Sequence, residues 1–144
     1  DDTQQKKCGA AKRADKYGIP HCYVSHKDED KMIKLFDEWN VDLIVLAGYM
    51  RVIKDPDAFP CPIINVHPSL LPKYKGLHAV EQAMESGDKM TGCTVHYVNE
   101  ELDGGEIIKQ ATVPIFETDT VEELTKRIQR EEYRILPEVI DSLP

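Results

Sequence analysis

Two rhythms of apolar and polar residues run along this chain. Over residues 28–39, Met32, Leu35, Phe36 and Trp39 recur at helical spacing with Ile33 beside them, and Asp28 stands where an N-cap is wanted. The stripe predicts a helix whose apolar side is core, not an aromatic binding surface. Residues 4–17 predict a more polar helix, stopped by Gly18 and Pro20, and the short apolar run 21–24 is a candidate strand. Residues 43–47 are apolar at every position, the pattern of a strand covered on both faces, with Gly48 ending it. Residues 54–62, with Pro56 and Pro60, predict a loop or short helix, and 62–67 a second buried strand closed by Pro68. A helix is expected over 79–86, ended by Gly87. Strands follow over 91–98 and 107–113, joined by the acidic turn 99–105. The last helix, 120–140, turns Val121, Leu124, Ile128, Ile135 and Leu136 inward. Thr120 and Glu123 have capping-box spacing, and Pro137 is expected to kink or cap the helix.

Strands alternating with helices predict an α/β fold: a three-layer, mostly parallel sheet flanked by helices, with an antiparallel addition near residues 91–113. The length of 144 residues fits a single domain over 1–144, and 41% hydrophobic residues supply its core. Ligands of such sheets bind beyond the carboxyl ends of the strands, which directs attention to residues 48–52, 65–69 and the acidic turn.

Charge narrows the function classes. Eighteen Lys and Arg against 26 Asp and Glu give a net charge of −8, which repels nucleic acid and anionic membranes. No apolar run approaches the ~20 residues of a membrane span, and the start of the chain does not resemble a signal peptide. Cys8, Cys22, Cys61 and Cys93 form no C-x-x-C pair, so reduced, mostly buried thiols of a cytoplasmic protein are expected. The pairs Cys22/His26 and Cys61/His67 lack a matching second pair, so no metal is expected. Neither a glycine-rich phosphate loop nor a serine nucleophile elbow occurs.

Two places carry candidate chemistry. In Asn65-Val66-His67-Pro68-Ser69, residues two apart on a strand project together, which sets an amide donor beside a titratable imidazole. That pair suits a carbonyl oxygen gaining negative charge. A strand-end histidine hydrogen-bonded for structure is the other reading. In Leu102-Asp103-Gly104-Gly105, two glycines permit positive φ and close approach of a ligand, so Asp103 could orient an imidazole or relay a proton through water. An ordinary Asp-Gly turn between strands is the alternative. His96, in an alternating strand, reads as a satisfied core or sheet histidine rather than a catalyst. His78 precedes a helix and is open to either role. His21 and His26 read as surface positions, and residues 126–134 as a solvated face.

The stretches 41–52, 64–72 and 102–105 resemble the formyltransferases that use 10-formyltetrahydrofolate. Within that group, residues 73–78 and 91–98 are most similar to the phosphoribosylglycinamide formyltransferases of purine biosynthesis. The resemblance extends from about Ala10 onward and favours the catalytic reading of both places. It implies that Asn65, His67 and Asp103 are catalytic and that 10-formyltetrahydrofolate is the co-substrate. Glycinamide ribonucleotide would be the formyl acceptor, with no metal. Asn65 and His67 would hydrogen-bond the oxyanion, and Asp103 would position His67 or a bridging water. Met50, Arg51, Val52, Val98 and Leu102 would border the folate, while Val66, Pro68, Gln129 and Glu132 would meet the ribonucleotide. Against the family's pattern the chain lacks the opening strand, phosphate-binding loop, helix and strand, and also a C-terminal tail. A fragment with an intact trio and poor nucleotide affinity is therefore expected. Formyltetrahydrofolate deformylase, or an inactive remnant that at most binds folate, are the alternatives.

Overall fold

A computed structural model of the chain describes residues 8–49 and 51–144, so the first residues of the helix expected over 4–17, and Met50, lie outside the described residues. The chain divides into two compact units, residues 1–39 and 40–144.

The first unit carries α1 (Gly9–Lys16) and α2 (Glu29–Glu38). Cys8 Sγ caps α1 by accepting from the Ala11 amide, and Gly18, at φ 67°, follows the helix end as expected. The Asp28 carboxylate caps α2 by accepting from the Lys31 amide at 3.1 Å. The apolar stripe of α2 is only half-buried, and Trp39 is 47% exposed. Residues 21–24 form no strand among the described residues: a short apolar run becomes a strand only where a neighbour offers its edge. His21 and His26 are exposed, and His21 bonds Asp15 at 2.7 Å.

The second unit holds the sheet. Its elements are β1 (Ile44–Leu46), a 3-10 turn (Pro56–Ala58), β2 (Ile63–His67), α3 (Ala79–Glu85), β3 (Met90–Tyr97), β4 (Ile107–Pro114) and α4 (Val121–Ser142). The strands lie in the order β1-β2-β3-β4. The open α/β sheet and the antiparallel addition match expectation, but the balance of pairings differs. The sheet is mixed, with β1–β2 parallel and both β2–β3 and β3–β4 antiparallel. Continuous apolar runs report burial on two faces and are silent on strand direction.

The core gathers Ile64 of β2, Val80 of α3, Cys93 and Val95 of β3, Ala111 and Val113 of β4, and Leu124, Ile128, Ile135 and Val139 of α4. The α4 positions follow helical spacing, Thr120 Oγ1 accepts from the Glu123 amide at 3.1 Å, and Pro137 sits inside the helix on its exposed side without ending it. Gly92 is required where β3 meets β4, because a Cβ there would lie 1.9 Å from the Ala111 carbonyl oxygen. Of the four free thiols only Cys93 is buried; Cys8 and Cys22 are exposed and Cys61 is intermediate. The expectation of mostly buried thiols therefore fails, because packing against α4, which selects Cys93, is not written in cysteine spacing. Burial, then the carboxylates of Glu132 and Glu131, push the Cys93 thiol up to about 12.

Glu132 interrupts the apolar stripe between Ile128 and Ile135, and burial pushes its carboxyl up to about 7. Leu124→Ala should cost about 2–5 kcal/mol of stability by urea unfolding, because its side chain is fully buried. A loss under about 1 kcal/mol would show that α4 does not anchor this unit. The native state also holds a proton on Glu132 that an unfolded chain sheds above 4.5, so this carboxyl lowers stability as pH rises from 4.5 through 7. Glu132→Gln should remove a pH-dependent loss on the order of 1–3 kcal/mol across that window. Parallel stability curves for the variant and the parent chain would contradict the buried carboxyl.

Candidate active site

β2 sorts its side chains between two environments. Ile64 and Val66 join the core that α4 covers, so Asn65 and His67 project from the other face. The antiparallel pairing with β3 sets His96 directly opposite Asn65 and Thr94 opposite His67, and directly opposed residues share a face. Thr94 secures the chain just after His67: its hydroxyl donates to the Ser69 carbonyl at 2.7 Å and accepts from the Leu71 amide at 3.1 Å. Gln110 of β4 donates to the same hydroxyl and to the Leu71 carbonyl, both at 3.0 Å.

Asp103 arrives from the turn between β3 and β4. Because β3 runs antiparallel to β2, this turn leaves the sheet beside the start of β2, where the Val98 amide donates to the Ile63 carbonyl at 2.8 Å. It then places Asp103 over the face that carries the two histidines. Asp103 Oδ2 lies 3.4 Å from His67 Nδ1 and Oδ1 lies 3.7 Å from His96 Nε2. The three side chains are 6%, 6% and 2% exposed for Asp103, His67 and His96. The left-handed residue of the turn is Asp103 itself, at φ 52°, not a glycine. Gly105 is required for close approach instead: a Cβ there would lie 1.7 Å from the Tyr97 carbonyl oxygen.

Residues 74–78 brace both partners. The Gly76 amide donates to Asp103 Oδ2 at 2.7 Å, and His67 Nε2 meets the Tyr74 carbonyl at 2.7 Å. A carbonyl only accepts, so Nε2 carries a proton in this contact. Tyr74 and His78 take φ of 55° and 62°, a conformation that costs energy and persists only where neighbours enforce it. The Tyr74 hydroxyl donates to Asp88 at 2.6 Å and the Lys73 ammonium pairs with the same carboxyl, holding it below its ordinary range.

A cavity of about 610 Å³ lies beside these contacts. Asn65, His67 and Asp103 border it, as do Arg51, Val52, Val98 and Leu102, and Val66, Pro68, Gln129 and Glu132. Met50 lies outside the described residues. The three regions singled out in the sequence thus meet, although the acidic turn reaches the cavity across the sheet face rather than from a carboxyl end of a parallel strand. Two further residues enter. His78 lines the cavity, and so does His96, read from sequence as a satisfied sheet histidine but left with an unpartnered Nε2. Alternation placed His96 on a strand; only the register with β2 and the path of the turn set it beside Asp103. Among the described residues no group of three or more His, Cys, Asp or Glu is arranged to hold a metal ion, and no helix is long and apolar enough to cross a membrane.

The chain matches known proteins over most of its length. The family described as Formyl transferase matches residues 3–140. Phosphoribosylglycinamide formyltransferase of Haemophilus influenzae is 43% identical over 150 residues, covering 92% of this chain and 71% of the relative. The human trifunctional purine biosynthetic protein adenosine-3 is 41% identical, over 87% of this chain and 13% of that much longer protein. Among solved structures, phosphoribosylglycinamide formyltransferase from Bacillus halodurans superposes with a TM-score of 0.85 at 41% identity, over 92% of this chain and 73% of that one. The enzyme of the same name from Streptococcus pneumoniae gives 0.88 at 32% identity, over 95% and 81%. A match of this extent, in sequence and in fold together, makes this chain a member of the formyl transferase family.

Proposed function

We propose that this chain transfers the formyl group of 10-formyltetrahydrofolate to the primary amine of glycinamide ribonucleotide, a step of purine biosynthesis. The observation that carries this reading is the buried contact of His67 with Asp103 at 3.4 Å, beside Asn65, in a cavity of about 610 Å³. The amine nitrogen attacks the formyl carbon, forming a new carbon–nitrogen bond, and the formyl oxygen takes up negative charge. The Asn65 amide donates to that oxygen. His67 has one ring nitrogen on the Tyr74 carbonyl and turns the other towards Asp103. That holds the ring beside Asn65, where it helps meet the oxyanion. Asp103 takes the proton lost by the attacking nitrogen, through water, and returns it to the folate nitrogen as that carbon–nitrogen bond breaks.

The cavity lining offers two kinds of surface. Val52 and Leu102, each more than half exposed, offer apolar surface for the flat folate ring, with Arg51 and Val98 beside them. Gln129 and Glu132 of α4, with the backbone at Val66 and Pro68, supply polar contacts for the ribonucleotide. A net charge of −8 supports small-molecule substrates over nucleic acid or membrane partners, and the reading sets the reaction in the cytoplasm.

The test is formyl transfer followed with and without glycinamide ribonucleotide. Loss of formyl from the folate should require the nucleotide and yield its formylated product. Release of formate without nucleotide, or no turnover at all, overturns the assignment. His67→Ala should lower kcat by about 10²–10³-fold while folate still binds. A variant that keeps the parent's kcat removes His67 from the chemistry.

A further inference from the structure

His96 is not the satisfied sheet histidine its strand position suggests. Its side chain is 2% exposed, and Nδ1 lies 3.0 Å from the Tyr97 carbonyl, which can only accept, so Nδ1 holds a proton. Nε2 is left buried with no hydrogen-bond partner, 3.7 Å from Asp103 Oδ1. A bare polar nitrogen in the interior is costly, and such an atom calls for a reason. The reason lies in how the Asp103 carboxylate divides its two oxygens. Oδ2 takes the Gly76 amide and faces His67, whereas Oδ1 lies 3.7 Å from His96 Nε2. The β3–β4 ladder slips beside this residue: Val95 pairs with Lys109 but His96 with Ile107, which leaves Ile108 as an extra residue. Such bulges re-aim side chains at functional sites.

We infer that His96, with a proton on Nε2 as well as on Nδ1, is a positioning residue that holds Oδ1 of Asp103 so that Oδ2 stays on His67. A carboxylate gripped from one side can rotate about its Cβ–Cγ bond and exchange its oxygens; a second imidazole removes that freedom. The other charged or titratable side chains lining this cavity include His67, His78, Arg51, Glu101 and Glu132, and of these only His67 shares Asp103 with His96 in an ion-pair contact.

The kinetic consequence rests on the proposed formyl transfer; the contact itself is testable without it. In long-range proton–nitrogen spectra of the whole chain at fixed pH, Asp103→Asn should displace the His96 Nε2 signal together with the His67 Nδ1 signal. A His96 signal that stays in place overturns the inference. In turnover, His96→Leu should lower kcat about tenfold or more while both KM values stay within about twofold. His96→Gln, which returns an N–H near the place of Nε2, should recover most of that loss. An unchanged kcat in the Leu variant, or no recovery with Gln, also overturns it. Should the Leu variant fail to fold, the Gln variant and the spectra decide. If the parent chain shows no turnover, the transfer reading fails while the spectra still judge the contact.

Discussion

The second unit is organised around one buried carboxylate. Asp103 is 6% exposed in its side chain, and an ionised carboxylate there is tolerable only with donors on its oxygens. The Gly76 amide supplies one at 2.7 Å, and two imidazoles stand on its remaining sides. Each of those groups comes from a different part of the chain. Gly76 belongs to the connection between β2 and α3, His67 ends β2, His96 lies on β3, and Asp103 crosses over from the turn before β4. Satisfying this charge therefore constrains two strands and two connections at once, and the left-handed backbone at Tyr74, His78 and Asp103 marks where the chain bends to do so.

The core and the site divide the sheet between its two faces. Ile64, Val66, Cys93 and Val95 turn towards α4, and Asn65, His67 and His96 line the cavity. Packing on one face holds the register that the other needs, since a slip of one residue would exchange the two sets. Gly92 and Gly105 serve the same end, since each admits a backbone carbonyl where a side chain would collide. α4 belongs to both sides of this division, because its stripe closes the core while Gln129 and Glu132 reach the cavity. The raised carboxyl of Glu132 is the consequence of holding a polar group on a core-facing stripe.

Periodicity and local chemistry made much of this legible. The spacing of Leu124, Ile128 and Ile135, the caps at Asp28 and Thr120, and the turns at Gly18, Gly48 and Gly87 depend on residues a few positions apart, and the structure keeps them. The pairing of Asn65 with His67 is local in the same way, because a strand sets residues two apart on one face. Strand direction, the burial of Cys93 but not of the other thiols, and the absence of sheet pairing at 21–24 lay beyond that range.

The sequence by itself determined every helix and strand of the second unit, which face of each is apolar, and which family's motifs the chain carries. Only the tertiary structure decided that β3 runs against β2 and that Asp103 folds back over the sheet. It alone set His96 opposite Asn65 with its otherwise unpartnered Nε2 towards that carboxylate. The physical reason is range. Backbone geometry and side-chain periodicity act over a few residues, whereas register and the burial of a charge are settled by partners distant in sequence that meet only when the sheet closes on its core.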